Sequence, residues 1–160
     1  MRFRKLALLL ATALFSAVVI FGCASEVHLE AEPEIAYGQE VCEQCGMIIT
    51  EEVHAAAYRL TDGSQKSFDD LGDMALYHRL NGDDVHLFWV HDFSTEEWMH
   101  ADHAYFVATE SFITPMGHGI VAFESEFEAN NFADEHHALV YRWNDLIAAP
   151  LSEIPRHHDH

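Results

Sequence analysis

The sequence predicts an α+β fold made of two small β-β-α-β-like units, residues 41–97 and 98–150. Three observations support this prediction. Short β-rich runs alternate with turn signals, each half contains one stretch with a helical apolar period, and each helix start follows a run that ends in phenylalanine. Many α+β domains share this order, so an internal duplication is an interpretation of the pattern.

The first unit begins with a predicted hairpin. A Thr-Asp-Gly-Ser turn signal separates its two β-rich runs. Asp69 and Asp70 then stand where a helix N-terminus favours hydrogen-bond acceptors and negative charge. The predicted elements are strands at 55–60 and 65–68, a helix that ends at Asn81-Gly82, and a strand at 85–90.

The second unit repeats this order. Its helix has acidic residues in the first turn, and Phe127 and Phe132 are its expected core contacts. The segment 85–103, which holds Trp89, Phe93 and Trp98, is expected to add strands that bridge the halves. The predicted elements of the second unit are strands at 104–109 and 119–123, a helix at 124–137 and a final strand at 139–143.

The N-terminus has the features of an export signal. A basic start precedes a largely apolar run without charge at 6–21, which indicates a signal peptide over residues 1–22. Ile20-Phe21-Gly22-Cys23 then resembles the lipobox of bacterial lipoproteins, with Cys23 as the lipidated residue; an uncleaved membrane anchor is the alternative. The acidic segment 23–40 is expected to be a flexible tether.

Charge restricts the partners of the chain. It has 8 Lys and Arg against 27 Asp and Glu, a formal net charge of −19. Because phosphate binding needs a basic face, nucleic acid is excluded as a partner. So acidic a surface attracts cations or a basic partner, although adaptation to a salty habitat would give the same composition.

The motif Cys42-Glu43-Gln44-Cys45-Gly46-Met47 places two thiols and a thioether within six residues. Such soft donors prefer Cu(I) to the cations that favour carboxylates. The spacing alone leaves two further interpretations open, since CxxC is also typical of redox dithiols and structural disulfides. No second CxxC is present to complete a four-cysteine zinc site.

A second motif, Thr114-Pro115-Met116-Gly117-His118-Gly119, predicts a loop that presents a thioether and an imidazole two residues apart. Met116 and His118 are therefore candidate ligands, although core packing would also explain a methionine. The His-rich tail at 151–160 is interpreted mainly as a solvated terminus with loose affinity for divalent metals. His86, His91, His100 and His103 are interpreted as exposed strand positions.

Together, the CxxCGM motif after a lipobox, Lys66-Ser67-Phe68-Asp69-Asp70, Pro115-Met116-Gly117 and Ala122-Phe123 resemble the NosL family of copper-binding lipoproteins. The resemblance implies a fold similar to that of organomercurial lyase. It also implies a Cu(I) chaperone, not an enzyme, for assembly of the copper centres of nitrous oxide reductase. The implied partners are that reductase and a membrane-bound ABC-type maturation complex.

Site residues follow from the same resemblance. Cys45, Met47 and Met116 match the family's ligands, Cys42 matches the first cysteine of its motif, and His118 is added from the loop chemistry. The implied location is the periplasmic face of the cell envelope, lipid-anchored through Cys23, with the choice of inner or outer membrane open. An extracytoplasmic thiol-disulfide oxidoreductase that uses Cys42 and Cys45 is the alternative function, and organomercurial cleavage is a remoter one.

Overall fold

The first antiparallel sheet carries the N-terminal unit. In the computed structural model, which describes residues 28–149, a short 3-10 helix (Glu52–His54) precedes this sheet. The strand order is β2-β1-β3-β4, and the helix α1 connects β2 to β3. The elements are β1 (Ala56–Leu60), β2 (Gln65–Phe68), α1 (Leu71–Asn81), β3 (Val85–His91) and β4 (Trp98–His100).

The second antiparallel sheet has the order β6-β5-β7, and α2 connects β6 to β7. In this sheet β5, the first strand of the second unit, lies between β6 and β7. In the same way β1, the first strand of the first unit, lies between β2 and β3. Both units therefore have the predicted β-β-α-β order, while a duplication and the likeness to organomercurial lyase stay predictions. The elements are β5 (Tyr105–Ala108), β6 (Ile120–Phe123), α2 (Glu126–Glu135), β7 (Leu139–Arg142) and a short helix α3 (Trp143–Ala148).

Local sequence explains why the first hairpin and α1 form where they do. In the hairpin turn, the carboxylate of Asp62 accepts hydrogen bonds from the backbone N–H (2.8 Å) and the hydroxyl of Ser64. Asp70 caps α1 by accepting from the N–H of Gly72. Gly82 ends the helix in the left-handed conformation, with φ of 65°.

The C-terminal elements differ in detail from the prediction. Trp143, predicted to end the last strand, begins α3 and is buried against Phe88 and Phe106. Phe132 packs in the second cluster of apolar side chains, as expected. The prediction for Phe127 is wrong, since its side chain is 73% exposed. The inward face of α2 is set by Ala129, Phe132 and Ala133, and Phe127 lies on the opposite face.

The largest core cluster contains side chains from both units. Tyr58 and Phe68 of the first sheet share it with Phe106 and Ile120 of the second. Since all four are fully or almost fully buried, the units are two halves of one hydrophobic core. The burial depends on how the sheets pack on each other, not on either sheet alone.

Asp92 fixes the junction of the two sheets. It forms an isolated parallel bridge with Ala122, and the N–H of Phe93 donates to the Ala122 carbonyl at 2.8 Å. The buried carboxylate of Asp92 accepts from the N–H groups of Ser94 and Glu124. These charge-assisted bonds hold the β3–β4 connection against the end of β6.

The structure differs from the predicted segmentation at two places. Within 23–40, the described part lies against the first sheet: Pro33 is buried, Ile35 and Tyr37 pack on the core, and Gln65 bonds to Glu34. This part is therefore not the free tether that we expected. In addition, β4 begins at the predicted boundary of the second unit yet pairs with β3 in the first sheet.

The signal peptide 1–22, Cys23 and the tail 151–160 lie outside the described residues. Within 28–149, no helix has the length and apolar composition needed to cross a bilayer.

The prediction of an exposed position is wrong for His91, which is a buried imidazole at the end of β3. Its Nδ1 lies 2.7 Å from the Glu96 carbonyl, its Nε2 lies 3.3 Å from the Tyr37 hydroxyl, and its ring packs on Trp98. Burial raises the pKa of Tyr37 to about 12, so this hydroxyl stays protonated and donates to a neutral imidazole. Burial also lowers the pKa of His91.

We predict that His91→Gln flattens the pH dependence of stability. Because the folded-state pKa of His91 lies below the unfolded value of about 6.5, the unfolded chain binds more protons as the pH falls through that value. The free energy of unfolding therefore decreases with falling pH in the native chain. Urea unfolding of metal-free, reduced protein at pH 7.5 and 5.5 measures this slope. His103→Gln, at an exposed position, should keep the native slope; equal slopes in all three proteins would contradict the assignment.

Candidate metal site

The CxxCGM motif folds as a tight hairpin-like loop. An antiparallel bridge joins Val41 to Ile48, and the N–H of Cys42 donates to the carbonyl of Met47 at 2.8 Å. The N–H of Gly46 donates back to the carbonyl of Cys42 at 3.0 Å. Gly46 has φ of 75°, a left-handed conformation that favours glycine, so this residue allows the chain to turn between the two sulfur-bearing ends.

Backbone contacts position this loop at the N-terminus of α1. The N–H of Glu43 donates to the Ser67 carbonyl at 3.1 Å, at the end of β2. Just after the loop, the N–H of Thr50 donates to the carboxylate of Asp69 at 3.2 Å. The sulfur loop is therefore attached directly to the strand that leads into α1.

The two thiols and one carboxylate form a compact cluster. Cys42 is buried, and its Sγ donates to Oδ2 of Asp73 at 3.4 Å. One ligand atom each from Cys42, Cys45 and Asp73 lie within 4.8 Å of one another. Both cysteines are free thiols, and Cys45 is half-buried whereas Met47 is 55% exposed. Donor access therefore increases from Cys42 through Cys45 to Met47.

The environment of Cys45 keeps its thiol protonated. Burial raises the pKa of Cys45 to about 12, and hydrogen bonding with Cys42 and Asp73 acts in the same direction against the opposing effect of the Met47 N–H. Catalytic thiols instead have a depressed pKa. A metal that binds here must displace this proton, so binding is expected to release acid.

The second predicted loop meets α1 through Asp70. This fully buried carboxylate accepts from Gly72 with Oδ1, and from the Thr114 hydroxyl and the Met116 N–H (3.0 Å) with Oδ2. Gly117, with φ of 70°, closes a turn in which its N–H donates to the Thr114 carbonyl. The backbone of Met116 is thus fixed to the same helix end as the sulfur loop.

His118 completes a chain of side chains across the two loops. It is 6% exposed, and its Nε2 lies 3.0 Å from Oδ1 of Asp73, whose other oxygen accepts from Cys42. The approach needs glycine at position 72, because a Cβ there would lie 2.3 Å from Cγ of His118. The two predicted loops are therefore joined through Asp73.

The carboxylates of Asp69, Asp70 and Asp73 lie close together at the N-terminus of α1, and that of Glu51 is near them. Burial raises the pKa of Asp69, and the negative charges of Asp70, Glu51 and Asp73 add to the effect. The partial positive charge of a helix N-terminus offsets only part of such repulsion. A bound cation would relieve it further.

The structure brings together most of the predicted site. Cys42, Cys45 and His118 are linked through Asp73, and Asp70 fixes the Met116 backbone beside them. Their role as metal ligands stays a prediction. Sequence reasoning missed Asp73 and treated Asp70 only as a helix start. The signal was present, since residues three apart lie on the same face of a helix.

The fold and the site together define a class: a small antiparallel α+β protein with a thiol, carboxylate and imidazole cluster between two glycine-containing loops. A family model of NosL matches residues 34–150, and the chain belongs to this family. The crystal structure of the copper chaperone NosL from Shewanella denitrificans has the same fold, with a TM-score of 0.64 and 24% identity, covering 71% of this chain and 94% of that chain. No curated protein matches the chain.

We predict that Asp70 and Thr114 are energetically coupled. Thr114→Val removes two hydrogen bonds, one that the hydroxyl donates to Asp70 and one that it accepts from the Gly119 N–H, and should lower the free energy of unfolding by about 1–3 kcal/mol. Asp70→Asn weakens the three hydrogen bonds that the Asp70 carboxylate accepts and should cost about 2–4 kcal/mol. Urea unfolding of both variants and the double variant gives the coupling energy, expected at about 1 kcal/mol. Additive effects would contradict the contact. Thr61→Val, on the exposed hairpin, is the matched control.

We also predict that Cys45 reacts slowly as a thiol. With Cys23 and Cys42 replaced by Ser, the iodoacetamide rate should still rise above pH 10, beyond the range of an ordinary thiol with a pKa of about 8.5. Asp73→Asn removes a partner that raises this pKa, so alkylation at pH 8 should accelerate, whereas Glu43→Gln should not change it. A rate plateau near pH 8 would contradict the buried, protonated thiol.

Proposed function

We propose that the chain binds Cu(I) at the sulfur cluster and delivers it for assembly of the copper centres of nitrous oxide reductase. The observation that carries the proposal is the placement of two free thiols within 4.8 Å of each other on a loop that also exposes the Met47 thioether. Membership of the NosL family supports the same function, and agrees with the expectation that the chain is not an enzyme.

The donor set suits monovalent copper. Thiolate and thioether are soft ligands, and Cu(I) favours them over harder donors. Cys45 and Cys42 supply thiols, Met47 supplies an accessible thioether, and Met116 and His118 are the candidates from the second loop. The Asp73 carboxylate is hydrogen-bonded to Cys42 and His118, and its negative charge favours a bound cation.

The arrangement also suits transfer. Cys42 lies at the buried end of the cluster, while Cys45 is half-buried and Met47 is exposed. A recipient can therefore approach from the Met47 side and replace the outer ligands one at a time. Val41 and Ile48, which flank the motif, are about half-exposed apolar side chains at the same surface.

The wider setting belongs to the same proposal. The proposed location is the periplasmic face of the envelope, with a lipid on Cys23 as the anchor. The proposed partners are a membrane-bound ABC-type maturation complex and the reductase itself. The negative charge of the chain suits a recipient with a basic surface.

Thiol-disulfide exchange is the weaker alternative. A redox dithiol depends on a thiolate with a depressed pKa, often at the N-terminus of a helix. Here Cys45 lies on a hairpin-like loop and its pKa is raised to about 12. These two observations favour a metal carrier over an oxidoreductase.

We predict one-to-one Cu(I) binding in an anaerobic competition titration with bicinchoninate. Cys45→Ser should weaken the affinity at least about tenfold, because it removes a thiolate ligand. Met47→Leu and Met116→Leu should each weaken the affinity with little change in volume. Met99→Leu, at a partly buried position packed against the core, should not weaken it.

Two outcomes would count against parts of this proposal. If Met116→Leu leaves the affinity unchanged, the site does not use the Met116 thioether. If the reduced native chain fails to retain Cu(I) but reduces insulin disulfides, the oxidoreductase alternative replaces copper delivery.

A further inference from the structure

A second group of metal-binding side chains lies at the far edge of the first sheet. His100 is the last residue of β4, and Asp102 and His103 lie in the turn that leads to β5. One ligand atom from each of the three lies within 4.8 Å of the others. We propose that His100, Asp102 and His103 form a site for a borderline divalent transition metal, Cu(II) or Zn(II), distinct from the sulfur cluster.

The donor types define the class of metal. Two imidazoles and one carboxylate are nitrogen and oxygen ligands, which suit Zn(II) and Cu(II) rather than Cu(I). Among divalent metals at such a site, Cu(II) binds more tightly than Zn(II). With three protein ligands, a coordination position remains for water or for a partner's side chain.

The backbone of this turn is held in place from both sheets. Ala101 is fully buried, and its N–H donates to the Phe88 carbonyl at 2.9 Å. Arg142 of β7 donates to the carbonyls of Asp102 (2.8 Å) and His103 (3.2 Å). The guanidinium is therefore engaged with the backbone of the turn, and it also lies over the Tyr105 ring.

Side-chain geometry allows closure on an ion. The His100 ring packs edge-on against Trp89, with ring centroids 4.2 Å apart, and is stacked with the His103 ring at 5.7 Å. Nε2 of His103 lies 3.8 Å from Oδ2 of Asp102. Ligand atoms around tetrahedral zinc are about 3.3 Å apart. Only small rotations are needed, and the exposed side chains of Asp102 and His103 are free to make them.

The sheet register separates this group from the sulfur cluster. Ser67, Ala57, Trp89 and His100 form one row of paired residues across the four strands. Three strand spacings put His100 about 14 Å from Ser67, whose carbonyl accepts from Glu43 of the sulfur loop. The two sites therefore occupy opposite edges of the sheet, and the second can be tested with the thiols removed.

Trp89 provides a local readout. It is 5% exposed and in direct ring contact with His100, so paramagnetic Cu(II) at the site should quench its fluorescence, whereas Zn(II) should compete without quenching. The background is the full chain with all three cysteines replaced by Ser and with His157, His158 and His160 replaced by Ala. These changes remove every thiol of the chain and the three histidines of the tail, which could otherwise bind the metal.

The proposal expects saturable one-to-one quenching by CuCl2 that a large excess of Zn(II) reverses. His103→Ala should weaken Cu(II) binding at least about tenfold, Asp102→Asn should weaken it less, and Trp89→Phe should reduce the quenching. His137→Asn is the matched control, because position 137 has φ of 53° and asparagine tolerates that conformation. Quenching that persists in His103→Ala would overturn the proposal.

A second measurement tests the proposal in the native chain, in case the variant without thiols folds poorly. In the native chain with reduced thiols, Zn(II) should shift the imidazole resonances of His100 and His103 in a proton–nitrogen correlation spectrum, and His103→Asn should abolish the shift of His100. If the imidazole resonances of His100 and His103 stay unchanged at saturating Zn(II), the proposal is overturned. Neither result depends on Cu(I) binding, so failure here and failure of copper delivery are distinguishable.

Discussion

The first turn of α1 is the constraint on which the site depends. Asp70 and Asp73 lie three residues apart on this turn, and each connects the helix to residues more than forty positions later in the chain. Asp73 also accepts from Cys42, so one carboxylate contacts both loops. Charge-assisted hydrogen bonds of this kind are worth about 1.5–3 kcal/mol each. They give two otherwise irregular loops a fixed position relative to each other.

Close backbone packing makes this connection possible. Gly72 sits between the two aspartates and leaves space for the His118 ring directly against the helix. The helix end thus supplies hydrogen-bond donors to Asp70, a carboxylate to the imidazole and room for the ring. Dense negative charge in this region is unfavourable for the free protein, because like charges repel at short range. The same charge makes the region attractive to a cation.

Much of the fold follows from local sequence. The first hairpin, the start of α1 and the β-β-α-β order of elements along each unit agree with turn, capping and apolar-period signals, because those signals act over a few residues. The packing of 30–40 on the first sheet was not predictable in this way. Its contacts are with residues about thirty positions away, such as Gln65 and Arg59. The predictions for Phe127 and Trp143 are wrong because both depend on tertiary packing. Phe127 is exposed, and Trp143 begins α3, where it packs against Phe88 and Phe106.

The site shows the same division. Cys42, Cys45 and His118 were found from residue type and spacing, whereas Asp73 was missed because its importance comes from its contacts, not from its neighbours in sequence. The sequence predicts only exposed strand positions for His100 and His103, because their convergence with Asp102 depends on the turn between β4 and β5. Sequence thus identified the soft donors, and the structure added the carboxylates that orient them.

The hydrophobic core that both units share determines where the chain can be cut or extended without loss of the fold. Tyr58 and Phe106 come from different sheets, so cutting the chain at the junction would leave a large apolar face of each fragment in water. Neither fragment is expected to be soluble by itself. Fusions, reporter insertions and family-swapped chimaeras are therefore better attached at exposed hairpin tips such as Asp62-Gly63 than at the boundary between the halves.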